Sequence, residues 1–275
     1  MIRSNKSSKI LLSFDIEEFD LPIEFGYQIP FEQQIKFTSQ GVLQVLSLLK
    51  EQGIHATFFC TACFVEHAPE ILHKIVADGH EIASHGYYHS RFDDKDYVDS
   101  RQKIEQISGV KVSGFRMPRM HKVDFQLLKD AGYTYDSSLN PTFIPGRYNH
   151  LNKSRVIYKK PNGIIECPSA VTPLLRIPLF WLSFHNLALW LYCCLFDRTL
   201  RHDGYAILYF HPWEFTDLKQ AAKFGFPSYV SKNSGEAFID RIKDFISWAQ
   251  SNNYEFMRTG DFAENIIKQK EPSAN

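Results

Sequence analysis

Short apolar runs recur along this chain, and most of them end at a charged or polar residue. Residues 9–14, 56–60, 80–84, 110–115, 133–135, 164–167 and 205–210 read as strands, and 255–258 as a last one. Between them lie stretches with helical periodicity at 41–50, 68–78, 96–108, 124–130, 184–200, 235–251 and 261–267. Strands alternating with helices of this size require a parallel sheet, open or closed into a barrel. The expected fold is therefore α/β, as one domain over residues 1–275. Folds of this kind place their active sites at the C-terminal ends of the strands. Residues 141–173 lack periodicity and read as a long loop or hairpin over the barrel.

Composition excludes several alternatives. Aromatic residues make up 15% of the chain and charged residues 23%, unlike a disordered segment. Lys plus Arg and Asp plus Glu are 31 each, so there is no basic surplus for nucleic acid. The five cysteines form no disulfide framework, and the Cys60-Thr-Ala-Cys63 spacing sits on an apolar strand, so buried reduced thiols are expected. Cys193 and Cys194 are expected in the core as well. The N-terminal apolar run is too short for a signal peptide and is followed at once by Asp15, Glu17 and Glu18. This reading suits a cytoplasmic protein or one at the inner membrane surface. The window from Ile177 to Phe196 is apolar enough to raise the question of a membrane span. However, Pro178, Ser183, His185 and Asn186 favour a half-buried helix with at most peripheral membrane contact.

The residues after the strands form a chemically coherent set. Asp15 and Glu17 follow the first strand, His85 and His89 the third, Arg116 and Pro118 the fourth, Asp136 the fifth, and His211, Trp213 and Glu214 the strand at 205–210. His85-x-x-x-His89 would put two imidazoles on one face of a helix. Two histidines and a carboxylate make a three-ligand metal site that keeps a coordination position open.

In order and position these motifs resemble the polysaccharide deacetylase family, whose shared domain is the NodB homology domain. Phe-Asp-x-Glu and His-Pro-Trp-Glu resemble its branch associated with exopolysaccharide and cell-envelope gene clusters. The resemblance implies a distorted (β/α) barrel of about seven strands and metal-dependent removal of N-acetyl groups from an amino-sugar glycan. It implies Asp15 as general base and His85 and His89 as ligands of a divalent metal: zinc, or else cobalt, nickel or manganese. Many members carry a second Asp directly after the first. Here that position is Ile16, and Glu17, on the same strand face as Asp15, becomes the candidate third ligand.

The same resemblance pairs Arg116 with Asp15, and has Asp136 orient His211 as a cationic general acid. It gives Pro118 and Arg119 the oxyanion position, Arg119 through its N–H, and Trp213 a face for stacking on sugar. Glu214 takes no leading role, and Glu18 reads as a solvated neighbour. The expected partner is an N-acetylated glycan, and the oligomeric state is not read. Two other functions fit the pattern: a metal-independent amide or ring hydrolase of the same superfamily, and a glycan-binding module without catalysis.

Overall fold

The computed structural model describes residues 7–218, 225 and 227–270; residues 1–6, part of the leader reading, lie outside the described residues. The strands are β1 (Lys9–Ile16), β2 (Thr57–Cys60), β3 (Glu81–Ser84), β4 (Gly114–Phe115), β5 (Tyr135–Asp136), β6 (Phe143–Ile144), β7 (Tyr148–Asn149), β8 (Tyr158–Lys159), β9 (Ile165–Glu166), β10 (Tyr205–Phe210) and β11 (Glu255–Met257). The helices are α1 (Leu21–Glu24), α2 (Phe31–Gln52), α3 (Ala62–His67), α4 (Pro69–Ala77), α5 (Asp96–Ser108), α6 (Phe125–Asp130), α7 (Trp181–Asn186), α8 (Leu189–Asp203), α9 (Ser228–Ser231), α10 (Glu236–Ser251) and α11 (Thr259–Lys270).

The main sheet runs β10-β1-β2-β3-β4-β5-β9-β8, with β11 paired to β1 beside that path. The seven strands from β10 to β9 are mutually parallel, and β8 is antiparallel to β9. Beyond β9 the chain returns to the first edge, where the Ala170 N–H donates to the Ile207 carbonyl. The result is the curled, distorted barrel expected from the motifs. Residues 141–173 carry the β6–β7 hairpin and β8, as the aperiodic stretch suggested.

Alternation along the strands sorts side chains into two layers. On β1, Ile10, Leu12, Phe14 and Ile16 join the large core between sheet and helices. Leu11 instead joins Phe59, Ala83, Tyr135, Ile165, Cys167 and Ile207 in the small cluster inside the curl. The odd-numbered residues of β1 therefore face inward, and Ser13, Asp15 and Glu17 continue that inner row toward its C-terminal end. Ile16, fully buried in the outer core, points away from it.

Local chemistry explains most helix boundaries. α2 ends at Gly53, whose left-handed φ of 65° lets its N–H return to the Leu49 and Lys50 carbonyls. Asp124 caps α6 by accepting from the Gln126 and Leu127 N–H groups. α4 begins with Pro69, where the missing N–H costs nothing. α2 starts ten residues before the predicted 41–50, because the polar Glu32-Gln33-Gln34 turn masks its periodicity; Gln34 is nonetheless buried, donating to the Ile29 carbonyl. β4 is two residues long rather than six, and at Gly114 it approaches Tyr135 so closely that an added Cβ would lie 2.0 Å from the ring.

The apolar window from Ile177 to Phe196 is not one helix. α7 stops at Asn186, and Leu187 and Ala188 are extended before α8 begins. Arg241 stabilises the break by donating to the Phe184 and Leu187 carbonyls. Phe184, Tyr192, Cys193, Phe196 and Leu200 are buried, whereas Trp190 is 70% exposed. Among the described residues no helix is long and apolar enough to cross a membrane. Cys60, Cys63, Cys167 and Cys193 are buried free thiols, but Cys194 is exposed, contrary to expectation, because the rotation of about 100° per residue along α8 turns it away from the core that Cys193 faces. Burial pushes the Cys60 and Cys63 thiols upward, which disfavours the reactive thiolate.

Candidate metal centre and active site

Glu17, His85 and His89 converge, each offering a ligand atom within 4.8 Å of the others. Glu17 Oε2 lies 3.0 Å from His89 Nε2 and 3.5 Å from His85 Nε2. The two histidines are not on a helix, as the i,i+4 spacing predicted. The chain after β3 turns at Gly86, with φ of 75°, and a loop brings the rings to 5.7 Å between centroids. Packing against Pro118 and Phe92 leaves a side chain little room at Gly86.

The surroundings orient each ligand. His85 Nδ1 lies 2.9 Å from the Arg116 carbonyl, which can only accept, so Nδ1 carries the hydrogen and Nε2 faces Glu17. His89 Nδ1 lies 2.8 Å from Asp20 Oδ1 and leaves its Nε2 likewise. Trp213 Nε1 donates to Glu17 Oε1 at 3.3 Å, and Thr38 Oγ1 fixes the Glu17 carbonyl at 2.7 Å. Glu17 Oε2 is buried without a hydrogen-bond donor. A buried carboxylate oxygen facing two directed imidazole nitrogens fits a divalent cation. Without one, burial opposes charge at Glu17 and at His89. The attraction between them outweighs it, helped at His89 by Asp20 and at Glu17 by the close approach of both imidazoles. Glu17 is held well below the usual carboxylate range and His89 well above the usual imidazole range.

Asp15, on the same inner row, pairs with Arg116 through Oδ1 and Nη1, as expected. Arg116 is wholly buried, and four of its guanidinium N–H groups are engaged: besides the bond to Asp15, Nε donates to the Ser137 carbonyl, Nη2 to Ser137 Oγ and Nη1 to Ser13 Oγ. It lies 4.0 Å over the Phe59 ring. This holds the planar fork in one orientation against Asp15.

His211 follows β10 on its inner row, but its partner is not Asp136. Its Nδ1 lies 2.9 Å from Glu214 Oε1 within the 3-10 turn Pro212–Phe215. The other Glu214 oxygen meets His185 Nε2 at 2.7 Å, and His185 stacks on Phe238. Burial disfavours a charged His211, but the Glu214 hydrogen bond and the charges of Glu17, Glu214 and Asp15 prevail, so its pKa is raised. Asp136 sits one residue out of phase: Tyr135 and Ser137 point inward, while Asp136 bonds Ser138 and faces Glu166, its register partner on β9. Trp213 is also reassigned. It is 2% exposed, stacked 4.9 Å from the His211 ring, and holds Glu17, so it offers no free face to a sugar. Glu18, expected in solvent, is buried and accepts from Thr61 Oγ1.

Pro118 and Arg119 form a 3-10 turn beside the triad. Arg119 and Met120 adopt left-handed φ of 56° and 53°, strained values for non-glycine residues. The Arg119 guanidinium meets Asp20 at 3.0 Å and Glu24 at 2.7 Å, so it braces the same Asp20 that orients His89. Sequence reasoning passed over Asp20, His185 and Glu214 as partners. The signals available were an acid three residues after Glu17 and a histidine inside an apolar stretch.

This sheet and site define the class: a NodB-type α/β half-barrel with a Glu-His-His cluster beside an Asp-Arg pair. The polysaccharide deacetylase family model matches residues 4–135, just under half of the chain, and over that stretch the chain is similar to that family. A peptidoglycan deacetylase of Helicobacter pylori is 26% identical over 145 residues, 50% of this chain and 48% of that protein, so the match spans about half the relative's length. A chitooligosaccharide deacetylase of Bradyrhizobium is 40% identical over 45 residues, 16% of this chain and 20% of that protein. A solved structure from Mycobacterium smegmatis, described as a polysaccharide deacetylase, superposes with a TM-score of 0.67 at 19% identity, covering 98% of this chain and 93% of its own. An allantoinase does so with 0.66 at 14%, covering 96% and 92%. At these identities the two structures establish the fold.

Proposed function

We propose that this protein hydrolyses N-acetyl groups on an amino-sugar-containing glycan. The observation that carries the reading is the buried Glu17–His85–His89 cluster flanked by Asp15–Arg116 and His211–Glu214, an arrangement in which a bound cation would have a base and an acid beside it. Glu17 Oε2 and the two Nε2 atoms would hold a divalent cation, zinc by the ligand set, with cobalt, nickel or manganese as substitutes. When bound, such a cation polarises an acetamide carbonyl and lowers the pKa of water toward about 7.

The protein groups supply the proton transfers. Asp15, with Oδ1 held by Arg116, takes a proton on its other oxygen from the water that attacks the carbonyl carbon. The Arg119 N–H, at the head of the strained turn, donates to the tetrahedral oxyanion. His211, oriented by Glu214 and held cationic, gives its Nε2 proton to the sugar nitrogen. The C–N bond breaks, and acetate and the free amine leave.

The test is acetate release from a panel of N-acetylated glycans after loading with each of the four metals. Asp15→Asn and His211→Asn are expected to lower kcat by about 10²–10⁴-fold each. No acetate from any substrate with any metal overturns the reading.

A further inference from the structure

A cavity of about 800 Å³, within the roughly 300–1,000 Å³ of ligand pockets, opens beside the metal cluster but does not include it. Arg119, the residue that braces Asp20, forms one end of it, and Lys160 and Glu166 the other. It lies on the outer side of β5 and β9, as the lining by Asp136 and Glu166 requires, under the 141–160 segment.

Its charge is one-sided. The wall carries Arg119, Lys122, Arg147, Lys153 and Lys160 against two carboxylates, Asp136 and Glu166. Lys160 is matched by Glu166 at 3.0 Å and Arg119 by Asp20 and Glu24. Lys122, Arg147 and Lys153 are exposed and have no carboxylate partner among the described residues. The imbalance is regional: residues 141–178 contain six Lys or Arg and one acid, Glu166, in a chain whose net charge is zero. Burial raises the pKa of Asp136, and burial together with repulsion from Asp136 raises that of Glu166, so the two acids do not offset the cations in full. Phe125 and Tyr158 supply apolar ring faces in the same wall.

We propose that this cavity is a subsite for an anionic substituent, carboxylate or phosphate, on the glycan residues flanking the acetylated sugar. The proposal rests on the deacetylase reading for its substrate and adds that the substrate is acidic. Three unpaired cations around one concavity focus potential on an incoming anion, and Arg119 links that concavity to the site where the acetyl group would be cleaved.

The experiment compares three N-acetylated oligosaccharides of equal length: one neutral, one with alternating uronates, one carrying a phosphate monoester. Affinity is read by calorimetry at low and high salt on the protein as purified, and kcat/KM on the metal-loaded protein. One variant combines Lys122→Gln, Arg147→Gln and Lys153→Gln. Another combines Lys36→Gln, Lys50→Gln and Lys74→Gln, the same charge change on exposed positions outside the cavity. Circular dichroism and Tm confirm folding of both. The expected result is an anionic-over-neutral affinity ratio of about tenfold or more at low salt, falling with salt. The first variant should bring the ratio to about one, and the second should keep it. The better of the two charged ligands identifies the anion. Equal affinity for charged and neutral ligands, or equal loss in both variants, overturns the proposal. Turnover without anion preference overturns it and leaves the deacetylase reading standing. Anion preference without acetate release from any ligand overturns the deacetylase reading alone.

Discussion

Glu214 bridges the half-buried His211 and the buried His185, with one oxygen 2.9 Å from His211 Nδ1 and the other 2.7 Å from His185 Nε2. Its backbone turn places it three residues after His211, and burial leaves it no solvent to share the charge with. Asp136, the residue the family pattern suggests for this task, lies on the other layer of the sheet.

Glu214→Gln should therefore weaken the protonated form of His211. His211 acts as an acid, so activity is lost as pH rises through its pKa. Removing the Glu214 charge lowers that pKa, and the alkaline limb of kcat against pH moves to lower pH with a loss of about 10-fold or more at pH 8. Asp136→Asn should leave that limb in place. A pH–rate profile of the loaded protein separates the two residues; a shift with Asp136→Asn and none with Glu214→Gln would restore the original pairing.

Metal content tests the inner row of β1. Elemental mass spectrometry should find about one divalent ion per chain, lost in Glu17→Ala and His85→Ala. Ile16→Asp should not rescue Glu17→Ala, because residue 16 faces the apolar outer core. A carboxylate there should cost several kcal/mol of stability, about 3 or more. Metal bound by the double variant would show that the strand face is misassigned.

Gly41 lies where α2 crosses the His211 turn. An added Cβ would stand 1.9 Å from the Pro212 carbonyl oxygen, a rigid backbone atom. Gly41→Ala should lower stability by about 1–3 kcal/mol despite alanine's better helix propensity, and should reduce kcat by displacing His211. Denaturant unfolding and steady-state kinetics read both effects, and a more stable variant would contradict the close approach.

His80 gives a stability signature at acid pH. Its Nδ1 accepts the Ala56 N–H at 3.2 Å, and burial, with His55 beside it, lowers its pKa to about 4. The unfolded chain takes up the proton near the ordinary value of about 6.5. The contribution is complete above that value and is lost as pH falls toward 4, on the order of 2 kcal/mol. His80→Asn keeps an acceptor near the Nδ1 position and should flatten Tm between pH 6.5 and 4 relative to wild type.

Most of the site was legible as positions. Asp15, Glu17, His85, His89, Arg116 and His211 each follow an apolar run, and β1 alternation is enough to put Asp15 and Glu17 together and Ile16 apart. Long periodic elements such as α5, predicted at 96–108 and found at Asp96–Ser108, were equally readable. Short elements were not: β4 and β5 have two residues each, too few for alternation to mark which side chain points inward. Only the register of β5 shows that Ser137, and not Asp136, lies on the inner side of the sheet. The burial of Trp213 and Glu18 was also illegible, because it depends on the small cluster of Phe19, Ile29, Leu218 and Val230 and on Thr61, contributed from distant parts of the chain.

The amino-acid sequence by itself determined the parallel α/β architecture and the identity of the groups at the strand ends. Periodicity and strand-end chemistry are local properties that any pairing partner must respect. The tertiary structure alone decided who holds whom: Glu214 for His211, Asp20 for His89, Trp213 for Glu17, and a Gly86 turn rather than a helix between the two histidines. Hydrogen-bond partnership depends on distances of a few tenths of an ångström across strands far apart in the chain. Those distances are set by register and curl of the sheet, which no single segment encodes.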